Sequence, residues 1–209
     1  MLKTPDFGQK ISSVMDNLSK DDCDGALPYL LLTSKSESIV RDLLAFRLHE
    51  KFQGKNYVVA REWSRTDIAV LASVLGEGTK QFKDPKAIIE IKMVAAPGKD
   101  NKNVYMHFER LERQLRNRKV KWKAAECFGL LAVRIFSETY LNSTSAFDEV
   151  IGSREDSLKP LPDLDSAVMN RAKDLRLSLV KQGTGTLMCG EEKVLQATVS
   201  LKWWLFSLC

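Results

Sequence analysis

Two apolar runs on either side of an amphipathic one constrain this chain more than anything else in it. "KAIIEIKMVA" (86–95) and "ECFGLLAVRIFSE" (126–138) read as strands. The second is so continuously apolar that it belongs inside a sheet. Between them, "VYMHFERLERQLRNR" (104–118) puts Val104, Phe108, Leu111 and Leu115 on one stripe, the spacing of a helix with one buried side. Strand, helix, strand is the signature of a parallel crossover, right-handed by default.

The remaining patterns fit around that unit. "SESIVRDLLAFRLHEKF" (36–52) has helical spacing, with Ser36 as N-cap and Gly54 as stop. "KNYVVAREW" and "TDIAVLASVL" read as a hairpin with "EWSR" near its turn. Residues 76–85 and 96–103 have the glycine, proline and polar content of loops. Residues 1–35 read as a polar, loosely helical lead-in, and 141–165 as a long connection. "SAVMNRAKDLRLSLVKQG" predicts a helix ending at Gly183, and the chain then closes on a hairpin with "GEE" in its turn. The expected fold is α/β: a mixed central sheet flanked by helices. One domain spans 1–209, with a core at about 36–138 and a C-terminal elaboration at 139–209.

Composition narrows the chemistry. The chain has 209 residues, 44% of them hydrophobic, enough for a sizeable core. No apolar stretch reaches the roughly 18 residues of a membrane span. "MLKTPDFGQK" lacks the apolar segment of a signal peptide, so a cytoplasmic protein with no membrane partner is expected. Cys23, Cys127, Cys189 and Cys209 are scattered without zinc-site spacing. His49 and His107 are the only histidines, which excludes a multi-histidine centre. Any metal must therefore be held by oxygen, which points to Mg²⁺, Mn²⁺ or Ca²⁺.

Residues two apart on a strand share a face, so Glu90 and Lys92 project together while Ile89, Ile91 and Met93 point into the core. Asp67 lies amid apolar residues on the preceding strand, although Asp is depleted in strands. If the two strands pair, Asp67 comes near Glu90. Adjacent carboxylates repel, and a divalent cation removes that penalty. An ammonium beside a cation and a phosphate can orient water or stabilise transition-state charge. The constellation suits phosphodiester hydrolysis.

"TDIAVL" followed by "EIK" resembles the metal-binding core of the PD-(D/E)XK nuclease superfamily, the restriction-endonuclease-like fold. The resemblance covers about residues 36–138, with the core order helix, three-stranded meander, helix, strand. It implies that Asp67 and Glu90 ligate Mg²⁺ or Mn²⁺ with help from the Ile91 carbonyl, and that Lys92 is the catalytic lysine. Glu37 matches the acid that many members carry early in the first helix. Gln114 matches a glutamine that some place after the ExK strand. It lies seven residues beyond His107, on the same side of the helix. Thr66 stands where the family motif has proline. The resemblance implies a DNA endonuclease of restriction, repair or phage type, acting on duplex DNA, with a homodimer as the expected assembly.

The net charge is +5, and the excess concentrates in "RLERQLRNRKVKWK" (110–123). Arg110, Arg113, Arg116, Arg118, Lys119, Lys121 and Lys123 suit sequence-independent phosphate contact, and Trp122 suits either burial or stacking on a base. "KWWLFSL" suits packing or a dimer contact. Two other readings compete. The same fold could serve as a non-catalytic nucleic-acid-binding or assembly subunit, or Glu90 and Lys92 could be a surface pair.

Overall fold

A computed structural model describes residues 6–18, 27, 31, 36–72, 84–95, 102–136, 163–189 and 197–208. The expected loops and the "GEE" turn fall mostly outside them, as does the connection expected over 141–165 except for its last three residues, of which Leu164 and Asp165 already belong to a helix. The described elements are α1 (Phe7–Asn17), α2 (Ser36–Phe52), β1 (Tyr57–Arg61), β2 (Ile68–Ala72), β3 (Pro85–Ala95), α3 (Lys102–Lys121), β4 (Glu126–Phe136), α4 (Leu164–Asp174), β5 (Leu177–Cys189) and β6 (Ala197–Leu208). Six strands form one sheet in the order β1-β2-β3-β4-β6-β5. Among the described strands only β3 and β4 run parallel, joined through α3, and the other pairs are antiparallel. The fold is α/β with a mixed sheet flanked by helices.

Both faces of the sheet are covered, which explains why β3 and β4 are apolar almost throughout. On one face Ile89, Ile91 and Met93 pack with α1 and α2. On the other, Ile88 and Val94 pack under α3 through Val104, Phe108, Leu111 and Leu115. The residues of β3 expected to point inward do so, but the opposite face is not wet. Glu90 lies under α3 and is 1% exposed.

Two expectations need correction. Residues 7–17 are a core helix rather than a loose lead-in: Phe7, Ile11, Val14 and Met15 recur at helical spacing and are buried. Asp6 caps this helix by accepting from the Gln9 N–H at 2.9 Å. The helix expected to run to Gly183 ends at Asp174, because Leu175, Leu177 and Leu179 alternate with polar residues. That period of two continues into β5 once Arg176 breaks the helix in the left-handed region. The packing expected of "KWWLFSL" is seen: Trp203 and Trp204 are 1% and 0% accessible and pack on opposite faces of β6. Among the described residues no helix is long and apolar enough to cross a membrane.

One glycine sets how close α3 comes to the sheet. Gly129 on β4 pairs with Glu90 on β3. A Cβ there would meet Leu115 Cδ1 at 2.7 Å and Leu111 at 3.1 Å. Its absence lets α3 sit directly over the strand pair that carries Glu90.

Candidate functional site

The site forms where β2 leaves β3. Pairing between them begins at Ile68 and Ile89, and the chain before Ile68 turns away into a 3-10 turn at Trp63–Arg65. Past Ile89, β3 therefore presents N–H groups on that edge with no β2 residue opposite. Two acids take the place of backbone carbonyls. The Ile91 N–H donates to Asp67 Oδ2 at 2.8 Å, and the Met93 N–H donates to Glu37 Oε2 at 3.3 Å. Glu37 arrives from the first turn of α2, and Asp67 from the residue just before β2 rather than from within it.

Lys92 stands between these acids. Its ammonium donates to Glu37 Oε1 at 3.1 Å and to the Ile91 carbonyl at 2.7 Å. Glu90 and Lys92 do not pair with each other. Glu90 Oε1 accepts from Arg118 Nε at 2.6 Å, with Arg118 reaching down from α3. Burial pushes the Glu90 carboxyl up to about 7; the Arg118 hydrogen bond opposes this and the Asp67 charge adds to it. The Asp67 and Glu90 carboxylates are thus electrostatically coupled. A surface pair of Glu90 and Lys92 is ruled out by this burial and by these partners.

α3 lines the site from above. His107, Gln114 and Arg118 recur on one side of it, and the helix runs back over β3, so Arg118 meets Glu90 while His107 feels Glu37 and Lys92. Burial, then the Arg110 charge, pulls the His107 imidazole below its ordinary value. His107 Nδ1 and Gln114 Oε1 are both buried without a hydrogen-bond partner. Two unsatisfied polar atoms on one helix side are unusual, since buried polar groups are normally paired.

The turn between β1 and β2 braces the end of α3. Glu62, Ser64 and Arg65 all sit at positive φ, a costly backbone for residues other than glycine. Trp63 stacks on Trp122 at 5.4 Å, Lys121 donates to Ser64 Oγ at 2.7 Å, and Arg118 Nη2 donates to the Arg65 carbonyl. Trp122 is 6% exposed and is spent on this packing, so it is not a base-stacking platform.

The basic run divides in two. Arg110, Arg113 and Lys123 are exposed. Arg116 is engaged by Glu112 and the Leu175 carbonyl, and Lys119 by the Ala125 carbonyl at 2.9 Å. Arg118 and Lys121 are tied to the site and its turn. The sequence reading gave all seven the same role and missed that Arg118 is the partner of Glu90. It also missed Gly129, whose signal was a lone glycine in an otherwise bulky strand.

The oxygen donors that could hold a hard cation are the Asp67 and Glu90 carboxylates and the Ile91 carbonyl. Among the described residues no group of three or more His, Cys, Asp or Glu side chains is placed to hold a metal ion. Two carboxylates, one carbonyl and waters are nevertheless a donor set of the kind Mg²⁺ accepts. Comparison of the chain with protein-family models, with curated proteins and with solved structures returned no match.

Proposed function

We propose that this chain is a metal-dependent nuclease of the PD-(D/E)XK type that hydrolyses phosphodiester bonds, acting on duplex DNA as an endonuclease. The observation that carries the reading is the gathering at one edge of β3 of Glu37 from α2, Asp67 from just before β2, and Glu90 and Lys92 from β3 itself. Structural stability alone does not call for a buried acid coupled to a second acid, because burying charge is costly.

In this reading Asp67, Glu90 and the Ile91 carbonyl hold Mg²⁺ or Mn²⁺. The ion, when bound, polarises the phosphoryl oxygen and lowers the pKa of a bound water. Lys92 does the positioning. An ammonium has three donors, and the Glu37 carboxylate and Ile91 carbonyl take two of them. The third is left for the attacking water or a phosphate oxygen. Glu37 fixes the Lys92 side chain, and its other oxygen is anchored on the Met93 N–H. Gln114, with its unpartnered carbonyl oxygen, lies along the same helix side and orients water at the cleft. Arg110, Arg113 and Lys123 give sequence-independent affinity through phosphates. We further propose a cytoplasmic enzyme of restriction, repair or phage type that works as a homodimer, so that both strands are cut.

A second reading draws on one observation. The Arg118–Glu90 ion pair puts a protein cation on the carboxylate a metal ion would need, as in a site kept for binding nucleic acid without cutting it. Incubation with supercoiled plasmid, linear duplex and single strands, in Mg²⁺ or EDTA, separates the two. The nuclease reading expects Mg²⁺-dependent nicking that Lys92→Ala abolishes. Retention of DNA without any cleavage supports the binding subunit, and nicking that survives Lys92→Ala removes the lysine from its role.

A further inference from the structure

Arg118 has an unusual place among the basic residues of α3. Its guanidinium bridges a fully buried acid and an exposed turn: Nε is on Glu90 and Nη2 on the Arg65 carbonyl. The Arg118 side chain is 16% exposed and the Glu90 side chain 1%, so the arginine sits at the mouth through which Glu90 meets solvent.

The charges around it do not favour a resident divalent ion without substrate. Glu37, Asp67 and Glu90 face Lys92 and Arg118, which leaves the cluster with one net negative charge when all are ionised. A divalent cation would overshoot to a net positive charge in a poorly solvated place. A phosphodiester brings the single negative charge that restores balance. The guanidinium fork suits a phosphate as well as a carboxylate. Arg118 cannot simply leave, because a buried ion stripped of its partner is strongly destabilised. It can leave only when another cation takes over Glu90.

We propose that Arg118 exchanges partners, holding Glu90 in the free protein and moving to a phosphate of the bound strand, so that metal and nucleic acid bind with positive cooperativity. The proposal rests on the nuclease reading and adds to it a substrate-dependent admission of the metal. The strained turn at Glu62–Arg65 anchors the second arm of the guanidinium and releases a single backbone contact when the arginine swings outward.

Mn²⁺ binding, read by calorimetry and by Mn²⁺ electron paramagnetic resonance, tests this without reference to turnover. The protein is the wild-type chain, titrated with and without a short DNA duplex whose backbone linkages keep the phosphate charge but resist hydrolysis. Duplex should tighten Mn²⁺ binding roughly tenfold or more, within the usual range of coupling between two sites. Adding Arg118→Gln should tighten Mn²⁺ binding in the absence of duplex and remove most of the coupling. Should that variant fail to fold, Arg118→Lys, which keeps a charge but loses the fork, should weaken the coupling in the same direction. Absence of coupling in the wild-type chain, or coupling unchanged by either Arg118 variant, overturns the exchange. If Asp67→Asn still abolishes Mn²⁺ binding in that case, the nuclease reading stands. If no variant binds Mn²⁺ at all, the reading and the exchange fail together.

Discussion

The Ile91 N–H donates to the carboxylate of Asp67 at 2.8 Å, so a side chain completes the sheet edge left where the chain turns away before Ile68. The same contact holds a candidate metal ligand in place, which couples folding to function at one residue. Asp67→Ala leaves a partly buried N–H without its acceptor and should cost about 1–2 kcal/mol. Asp67→Asn keeps an accepting oxygen and should unfold in urea near the wild-type midpoint while losing metal-dependent cleavage. Equal destabilisation by both variants would show that the negative charge, and not the acceptor, matters to the edge.

Glu90 should give the stability a marked pH dependence. Its carboxyl is raised to about 7 in the folded chain, against 4.5 for an ordinary glutamate. The folded state therefore holds this proton more tightly than the unfolded state. The contribution is complete below pH 4.5, falls as pH rises through about 7, and is then lost. Its size is on the order of 3 kcal/mol, from about 1.4 kcal/mol per pKa unit. Urea unfolding from acid to neutral pH should show this decline, and Glu90→Gln should flatten it. A wild-type curve that rises steadily across that range would contradict a buried, proton-retaining Glu90.

Gly129 is where the crossover helix lies closest to the sheet. Gly129→Ala puts a methyl into Leu115 Cδ1 and Leu111, and either these side chains or α3 must shift. Overpacking of this kind costs about 1–3 kcal/mol. Because Glu90 is the β3 residue paired with Gly129, and Arg118 descends from the shifted helix, the variant should also loosen the Arg118–Glu90 pair. Thermal melting reads the first effect. The Glu90 carboxyl resonance, followed by carbon NMR against pH, reads the second; a titration midpoint identical to wild type would argue against it.

The two halves of the basic run should separate in DNA binding. Arg110→Ala, Arg113→Ala and Lys123→Ala each remove an exposed cation, and each should lower the slope of log affinity against log salt by roughly one. Arg116→Ala should leave that slope nearly unchanged, since Glu112 and the Leu175 carbonyl already engage its guanidinium. Fluorescence anisotropy at several salt concentrations gives the slopes. Equal slopes for all four variants would mean that α3 does not face the nucleic acid.

Much of this architecture could be read from periodicity. The stripe Val104, Phe108, Leu111, Leu115 and the apolar run of β4 announced the crossover, because a period near 3.6 between two strand-like runs admits few arrangements. Asp67 and Glu37 stood out as acids at strand and helix starts, and both lie at the β3 edge. What could not be read depends on tertiary packing. Nothing local distinguishes Arg118 from Arg116, two positions away; only the closeness of α3 to the sheet makes one the partner of Glu90. The end of α4 was misjudged because Leu175, Leu177 and Leu179 fit a helical window when taken with the residues before them. The burial of Trp122 depends on Trp63, nearly sixty residues earlier in the chain, which no local pattern reveals.

The central claim is that one hard cation is shared by Asp67 and Glu90 beside the ammonium of Lys92. Anomalous diffraction from crystals of the wild-type protein grown with Mn²⁺ and a hydrolysis-resistant DNA duplex tests it most directly. The account predicts a peak between the Asp67 and Glu90 carboxylates, next to the Ile91 carbonyl, with Arg118 turned away from Glu90. A map with Mn²⁺ bound elsewhere, or with the Arg118–Glu90 pair intact and no ion beside it, would contradict the account.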